Sequence, residues 1–224
     1  MANMLLGITG SVAALKTPEL FACLKRAGHQ VRVVATKPSL YFFDPKTLDP
    51  NRLDRNPAIV IIDEDEWPGR DEGQMAQRGD AVLHIELRKW ADLLVIAPLD
   101  ANTLAKLAQG LADNCLTCVW RAWDQARPVV LAPAMNSLMW EHPATRRHLL
   151  QLASDAGAPA PPSVADLLDL VAWINRTCAR LHVVPPQSKR LFCGDVGVGA
   201  MAELVEILEA VARQLSKPTE ALPR

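Results

Sequence analysis

Short β-branched apolar runs alternate along the chain with longer segments whose apolar residues recur at helical spacing. The runs predict strands at residues 4–8, 31–35, 58–62, 92–97 and 128–132, with a weaker sixth near residue 183. The longer segments predict helices over residues 11–27, 74–90, 102–124, 138–156 and 200–215. Several runs are apolar throughout, as is typical of strands covered on both faces. The alternation therefore predicts a doubly wound, Rossmann or flavodoxin-like α/β fold, in which helices flank one parallel sheet in a single domain.

Length and charge limit the classes of function. The chain has 224 residues, half of them apolar, which suffices for one core; we assign residues 1–215 to the domain and 216–224 to a C-terminal tail. A formal net charge of -1 without long Lys/Arg runs argues against a nucleic-acid partner. No apolar run approaches the length of a membrane span, and the first residues lack a secretory leader. We therefore expect a cytoplasmic protein with no membrane partner.

The five cysteines do not suggest a disulfide scaffold, because their number is odd and no secretory signal accompanies them. Cys115 and Cys118 form a lone CxxC pair. A structural zinc site needs a second pair of ligands at similar spacing, which the sequence lacks. We expect no metal, and we interpret both cysteines as small side chains on a buried helix face.

In a doubly wound sheet, ligands bind beyond the carboxyl ends of the strands. After the first strand, Gly10 and Ser11 form a tight turn into a helix, where free N–H groups favour an anion. After the second strand, a dinucleotide-binding fold places an acid for the ribose. This chain has Thr36, Lys37 and Ser39 instead, which suit a phosphate and favour a mononucleotide over NAD. An ordinary polar loop with a helix cap fits these three residues equally well.

Three further places carry candidate chemistry. Asp100, Asn102 and Thr103 follow the fourth strand, either as helix caps or as polar groups that approach a planar ring. Asn136 follows the fifth strand, again either as a cap or with its amide in the cleft. His84 lies before the fourth strand and is either a buried histidine or a functional one. The remaining histidines are predicted to be at the surface: His29, His142, His148 and His182.

Seven motifs then occur in a fixed order: GSVAALK, TKPSLYF, DEDEW, HIELRKWADLLVIAP, ANTLAKLAQGLADN, PAMNSLMW and KRLFCGDVGVGAMAE. Together they resemble the phosphopantothenoylcysteine decarboxylases, FMN enzymes of coenzyme A synthesis, especially the stand-alone plant and eukaryotic form. The resemblance extends from about residue 4 to residue 205. Its specificity comes from the combination of a histidine before WAD, the PAMN sequence and the CGD-x-G-x-GAM loop.

The resemblance implies a reaction. FMN oxidises the thiol-bearing carbon of phosphopantothenoylcysteine and gives a thioaldehyde. The carboxylate then lies β to an electron sink, so carbon dioxide leaves and an enethiolate forms. Hydride return from reduced FMN and a proton from an acid give 4′-phosphopantetheine, and the flavin ends unchanged.

The resemblance also implies roles for single residues. The catalytic residues are His84, which assists oxidative decarboxylation, and Cys193, which protonates the enethiolate. Asn136 binds the substrate carboxylate, and the other substrate contacts are Arg190, Phe192 and Met201. The implied FMN contacts fall into three groups: Gly10, Ser11 and Val12 at the first turn; Thr36, Lys37 and Ser39 on the phosphate side; and Asp100, Ala101, Asn102, Thr103 and Ala134 on the isoalloxazine side.

Family members assemble as trimers with active sites between subunits, so the resemblance implies a homotrimer. Trp120 and Trp123 suit such an interface or a core. Two features depart from the family pattern. Asp100 stands where plant-like sequences have serine, and residues 158–182 form an atypical insertion. Apolar residues at 167, 168, 171 and 174 predict a short amphipathic helix in this insertion, set off by prolines as a surface excursion. Contact with a neighbouring subunit and disorder are both compatible with this segment, and the sequence does not decide between them.

Three alternatives remain at this point. One is another enzyme of the same superfamily, a peptidyl-cysteine decarboxylase or a flavin prenyltransferase; the PAMN, CGD and GAM elements argue against the prenyltransferase. Another is a non-catalytic regulatory subunit that inhibits a protein phosphatase. The third is an FMN-binding protein without turnover. The presence of His84, Asn136 and Cys193 together favours the decarboxylase.

Overall fold

The computed structural model describes residues 1–51, 58–67, 69, 72–75, 77–161, 166–190 and 196–217. Its centre is a six-stranded sheet in the order β3-β2-β1-β4-β5-β6, in which every neighbouring pair is parallel. The strands are β1 (Asn3–Ile8), β2 (Gln30–Ala35), β3 (Val60–Ile62), β4 (Leu93–Leu99), β5 (Val129–Pro133) and β6 (Leu181–Val183). The six predicted strands and the parallel α/β class are confirmed.

The central strands are apolar throughout because both of their faces are covered. Along β4, Leu94 and Ile96 belong to the core on one face, and Leu93 and Val95 belong to the core on the other. All four side chains are fully buried. This alternation places a separate hydrophobic layer on each side of the sheet, as strand geometry requires.

Eight α-helices form the flanking layers in the described part of the chain. They are α1 (Thr17–Arg26), α2 (Leu83–Trp90), α3 (Ala101–Gln109), α4 (Cys115–Arg121), α5 (Ser137–Glu141), α6 (Pro143–Asp155), α7 (Leu167–Thr177) and α8 (Leu204–Ser216). One core layer includes side chains of α2, α3, α4, α6 and α7, and the other includes side chains of α1 and α8. Within the described residues, none of the helices has the length and apolarity to cross a membrane.

Several predicted helices are shorter than the pattern indicated. The predicted helix 102–124 is wrong as one element: it stops at Gly110, whose φ of 69° is left-handed, and α4 starts at the Asn114 cap. The predicted helix 138–156 is divided where His142 turns extended and caps α6. The first predicted helix begins as a 3₁₀ turn, Val12–Lys16, and α2 begins only at Leu83. Local caps and turns interrupt patterns whose apolar spacing is continuous.

In the described part of segment 158–182 the predicted helix is present as α7, but the prediction that it is a surface excursion is wrong. Leu170 and Ile174 are fully buried in the main core, and α7 packs between α6 and β6. Asn175 ties α7 to β6, since its side chain accepts from the N–H of Val183 and donates to the Val183 carbonyl, each at 2.8 Å. The apolar stripe of α7 therefore completes the layer beside the last strand.

A small antiparallel hairpin lies outside the main sheet. It pairs β7 (Gln187–Arg190) with β8 (Val196–Ala200). The N–H of Met135, after β5, donates to the carbonyl of Gly199 at 2.9 Å. Gly199 has a φ of 155°, and a Cβ there would overlap the Met135 carbonyl oxygen, so only glycine allows β8 this close approach. The hairpin is thereby fixed against the turn that carries Asn136.

The two tryptophans of α4 and its C-terminal turn pack inward. Trp123 is buried, and Trp120 packs against the same core. Their indole N–H groups donate to the carbonyls of Leu107 (from Trp120, 3.2 Å) and Arg127 (from Trp123, 3.4 Å). Of the two roles predicted from the sequence, interface or core, the structure places both tryptophans at the core.

Candidate active site

The ends of β1 and β4 are tied together by one hydroxyl group. Thr9 Oγ1 donates to the Pro98 carbonyl at 2.8 Å and accepts from the Asp100 N–H at 2.7 Å. Gly10 follows in a confined space, because a Cβ there would stand 2.7 Å from the Cβ of Pro38 and 3.3 Å from Asp100 Oδ2. The turns after β1, β2 and β4 thus meet around Gly10.

Two short helical starts open from these turns. Ser11 caps the 3₁₀ turn that begins at Val12, and its hydroxyl accepts from the N–H of Ala13 at 3.4 Å. Asp100 caps α3, with Oδ1 accepting from the N–H of Thr103 at 2.7 Å. The carboxylate of Asp100 is therefore directed at the backbone of α3.

The first residues of α3 differ in their access to solvent. Ala101 is half-buried, Asn102 is exposed and the Thr103 side chain is buried. Of this predicted isoalloxazine group, Asn102 thus presents the accessible side chain beside the Gly10 turn.

The polar residues after β2 are arranged differently from a simple phosphate loop. Thr36 Oγ1 donates to the Ile8 carbonyl at 3.2 Å, and Ser39 Oγ donates to the Thr36 carbonyl at 2.6 Å. Both residues are buried. Direct donation from either hydroxyl to a phosphate would require it to turn away from its carbonyl. Lys37 lies between them with an exposed side chain, and its N–H donates to Asp63 Oδ2 at 2.9 Å.

The turn after β5 carries two of the predicted site residues. Ala134 is buried, and its N–H donates to the Leu99 carbonyl at 2.9 Å, which holds this turn beside β4. Asn136 caps α5, with Oδ1 accepting from the N–H of Leu138 at 2.8 Å. The cap assigns the oxygen of the Asn136 amide to the backbone, so the NH₂ is the end suited to meet an anion.

A buried carboxylate lies against His84. Glu66 ends the 3₁₀ turn Asp63–Glu66, directly after β3, and His84 is the second residue of α2. His84 Nδ1 contacts Glu66 Oε1, and the side chains are 18% and 2% exposed, respectively. Glu66 received no role from the sequence beyond its place in the DEDEW motif. Four consecutive acids are typical of a solvated turn, and only the fold shows that one of them points inward.

Cys115, at the start of α4, adjoins this pair. Its thiol is buried near the Glu66 carboxylate; burial first, and then the charge of Glu66, raise the pKa of Cys115. Cys115 and Cys118 are both free thiols. Among the described residues, no group of three or more His, Cys, Asp or Glu side chains is arranged to hold a metal ion.

The remaining predicted site residues lie in or beside the hairpin. Met201 is only 4% exposed and packs in the core layer of α8. Arg190 ends β7. Phe192 and Cys193 lie outside the described residues. The substrate contacts predicted for Arg190, Phe192 and Met201, and the catalytic role predicted for Cys193, stay predictions.

The structure brings some predicted residues together and separates others. Those after β1, β2 and β4 meet around Gly10, and Ala134 and Asn136 follow on the adjacent strand β5. The Glu66–His84 pair follows β3 along the chain, and Glu66 lies near Cys115 at the start of α4. His84 Nδ1 is paired with Glu66, and Asn136 Oδ1 accepts from the Leu138 N–H.

With this geometry in place, the relatives of the chain can be compared. The family model described as "Flavoprotein" matches residues 1–216. A phosphopantothenoylcysteine decarboxylase of Oryza sativa subsp. japonica is 46% identical over 201 residues, which cover 90% of this chain and 75% of the relative. A cysteine-to-serine mutant of PPC decarboxylase, solved with pantothenoylaminoethenethiol, is 43% identical with a TM-score of 0.75, covering 96% of this chain and 99% of that one.

A second solved structure, described as the FMN binding protein AtHal3, is 44% identical with a TM-score of 0.70, and covers 94% of this chain and 95% of that one. The family predicted from the seven motifs is therefore confirmed, and so is its extent along the chain. The chain belongs to the flavoprotein family and, within it, to the phosphopantothenoylcysteine decarboxylases.

Proposed function

We propose that the chain catalyses the FMN-dependent decarboxylation of phosphopantothenoylcysteine to 4′-phosphopantetheine in coenzyme A biosynthesis. The observation that carries the proposal is the match, over nearly the whole of both chains, to a PPC decarboxylase solved with pantothenoylaminoethenethiol. That compound is an enethiol attached to a pantothenoyl group, which is the kind of product expected after carbon dioxide is lost. The described fold and the predicted site residues are compatible with this reaction.

The turns around Gly10 fit a flavin mononucleotide. A Cβ at Gly10 would fill the narrow space between Pro38 and Asp100. Ser11 and Val12 begin a helical turn whose first N–H groups suit a phosphate, and the exposed Lys37 adds a cation nearby. Asn102 and Ala134 would border the ring. When bound, FMN supplies a reversible two-electron acceptor beside the thiol-bearing carbon.

The polar residues of the chain would handle the carboxylate and the protons. The Asn136 amide, with its oxygen held by the Leu138 N–H, offers its NH₂ to the substrate carboxylate. A neutral donor orients this group without the cation that would stabilise it against leaving. His84 would take up a proton during oxidative decarboxylation, and Cys193 would deliver one to the enethiolate as a neutral thiol.

We propose a homotrimer with active sites between subunits. In such a site one subunit would contribute His84 and its neighbour Asn136. Leu138 and Met139, directly after Asn136, are 76% and 50% exposed and would be covered by such a neighbour. Light scattering coupled to size-exclusion chromatography is expected to give three times the chain mass. A stable, active monomer contradicts the shared site.

A cytoplasmic location is part of the same proposal. Cys23, Cys115, Cys118 and Cys178 are free thiols, which is compatible with a reducing compartment. Fractionation of cells that express the tagged full chain tests it, and recovery with a membrane or secreted fraction contradicts it.

An assay of purified protein tests the reaction. We expect a yellow protein with one FMN per chain that converts phosphopantothenoylcysteine into equal amounts of carbon dioxide and 4′-phosphopantetheine. The Asn136→Asp variant should retain flavin and lose turnover, because a carboxylate repels the substrate carboxylate. Flavin-loaded protein that releases no carbon dioxide from this substrate overturns the proposal.

A further inference from the structure

Glu66 is a buried acid that the proposed reaction does not use. The DEDE turn contains four acids, of which Glu64 is exposed and Glu66 is 3% exposed. Burial of an ionised carboxylate is unfavourable unless a partner compensates for the lost water. The partner of Glu66 is the Nδ1 atom of His84. This arrangement places the most deeply buried acid of the turn against the histidine that the family motif marks as catalytic.

We propose that Glu66 is the positioning residue of His84: it holds the hydrogen of the neutral imidazole on Nδ1 and thereby keeps Nε2 as the proton acceptor for substrate. This inference rests on the proposed function. An ionised carboxylate accepts hydrogen bonds and cannot donate them, so a ring nitrogen that contacts it must carry the hydrogen. A neutral imidazole has one such hydrogen, so the lone pair is then on Nε2.

The surroundings of His84 leave Nε2 available. The imidazole is 18% exposed, whereas its carboxylate partner is almost fully enclosed. Within the described part of the chain, the His84 side chain makes one hydrogen bond, at Nδ1. The nitrogen that the carboxylate does not fix is thus the one that a substrate can meet.

The surroundings of Glu66 hold it in the acceptor role. The neighbouring Cys115 thiol has a raised pKa, caused first by burial and then by the Glu66 charge, so it stays protonated and neutral beside the carboxylate. Asp63, at the start of the same turn, is directed elsewhere, since it accepts from the Lys37 N–H at 2.9 Å. Glu66 Oε1 is thus held by His84, while Oε2 is buried with no hydrogen-bond partner among the described residues.

The tautomer of His84 is the direct test, and it does not depend on turnover. In flavin-loaded protein labelled with ¹⁵N-histidine, at a pH where the imidazole is neutral, we expect the His84 signals of a ring with its hydrogen on Nδ1. The His84→Asn variant assigns the signals by their loss. A wild-type ring with its hydrogen on Nε2 overturns the proposal without any variant of Glu66.

The Glu66→Gln variant sharpens this test. Its amide has nearly the same shape, but it can either accept from or donate to Nδ1, so we expect a mixture of the two tautomers or a switch. Glu66→Asp keeps the charge and is expected to keep the tautomer, even if the contact lengthens. The matched control is Glu64→Gln, which removes one charge from the exposed side of the same turn and should leave the signals unchanged. An unchanged tautomer in folded Glu66→Gln overturns the proposal.

The kinetic expectation follows from the same geometry. Loss of a correctly placed proton acceptor costs about 100-fold in kcat, within the range for general acid–base catalysis. We expect this loss of carbon dioxide release in Glu66→Gln with little change in KM or flavin content, and no loss in Glu64→Gln. If the wild-type protein itself releases no carbon dioxide, the proposed function fails while the tautomer result still decides the role of Glu66. Full activity of Glu66→Gln overturns the positioning role.

Discussion

One histidine contacts the turn after the edge strand β3, and another lies on the opposite edge strand, β6. The surroundings of the two histidines are opposite in character. At the β3 edge, His84 is partly exposed and contacts the buried carboxylate of Glu66. At the β6 edge, His182 is buried, and burial together with the positive charges of Arg213 and Lys217 lowers its pKa to about 4. The first environment directs one ring nitrogen and leaves the other available, whereas the second keeps the ring neutral in the core. The chemistry of a histidine therefore depends on its neighbours more than on its place beside the sheet.

The comparison is tested most strongly by replacing each histidine in turn. We expect His84→Asn to retain flavin and lose carbon dioxide release by at least about 100-fold, because the proton acceptor is gone. His182→Leu should keep kcat, since its ring contacts the core at the opposite edge of the sheet. Single-turnover measurement of carbon dioxide release by both variants distinguishes a catalytic from a structural role for each histidine. Equal losses in the two variants would remove the distinction between the edges.

The second prediction concerns stability against pH at the β6 edge. The ordinary pKa of histidine, 6.5, applies in the unfolded chain, and the folded value is about 4. As the pH falls from 6.5 to 4, the unfolded chain binds a proton that the folded chain does not, so the free energy of unfolding decreases, by about 2–3 kcal/mol at most. The stabilising effect of the neutral ring is present above pH 6.5.

Urea unfolding at pH 7 and at pH 4.5 measures this effect. The wild-type protein should lose more stability between the two pH values than His182→Leu does, and the difference between them cancels the contribution of the other titrating groups. His142→Asn is the matched control, because His142 is exposed and Asn retains its cap on α6. The control should follow the wild type. A wild-type-like pH dependence in His182→Leu contradicts the assigned cause.

The same two edges show how far the sequence predicts the molecule. The strands could be predicted because buried parallel strands are apolar without interruption, and the family could be predicted because its motifs recur in order. The burial of His182 could not be predicted, because its strand is only three residues long and a polar residue by itself indicated a surface position. The inward turn of Glu66 is invisible among four adjacent acids, since a turn has no periodicity that distinguishes one side from the other.

Helix α7 and Cys193 show two further limits of prediction from the sequence. An amphipathic stripe predicts a helix with one apolar face, but it does not tell whether that face meets the core or another chain. For α7 the face meets the core, since Leu170 and Ile174 are fully buried. Breaks such as the one at His142 arise from local capping that the apolar spacing does not register. Cys193, the predicted proton donor of the reductive step, lies outside the described residues and stays a prediction from the motif.

The smallest expected effect comes from a second carboxylate that sharpens the comparison with Glu66. Asp100 follows the central strand β4, and its Oδ1 accepts from the Thr103 N–H at 2.7 Å. Asp100 therefore caps a helix backbone, whereas Glu66 contacts an imidazole. Asp100→Ala should lower the free energy of unfolding by about 1 kcal/mol through loss of the cap, and Asp100→Ser, which can cap α3 as well, should not. Chemical unfolding of flavin-free and flavin-loaded protein measures both. Because the cap is structural, Asp100→Ser should also keep kcat, whereas Glu66→Gln should not. A loss of turnover in Asp100→Ser at unchanged stability and flavin content would mean that the carboxylate of Asp100 acts on the bound reactants as well as on α3.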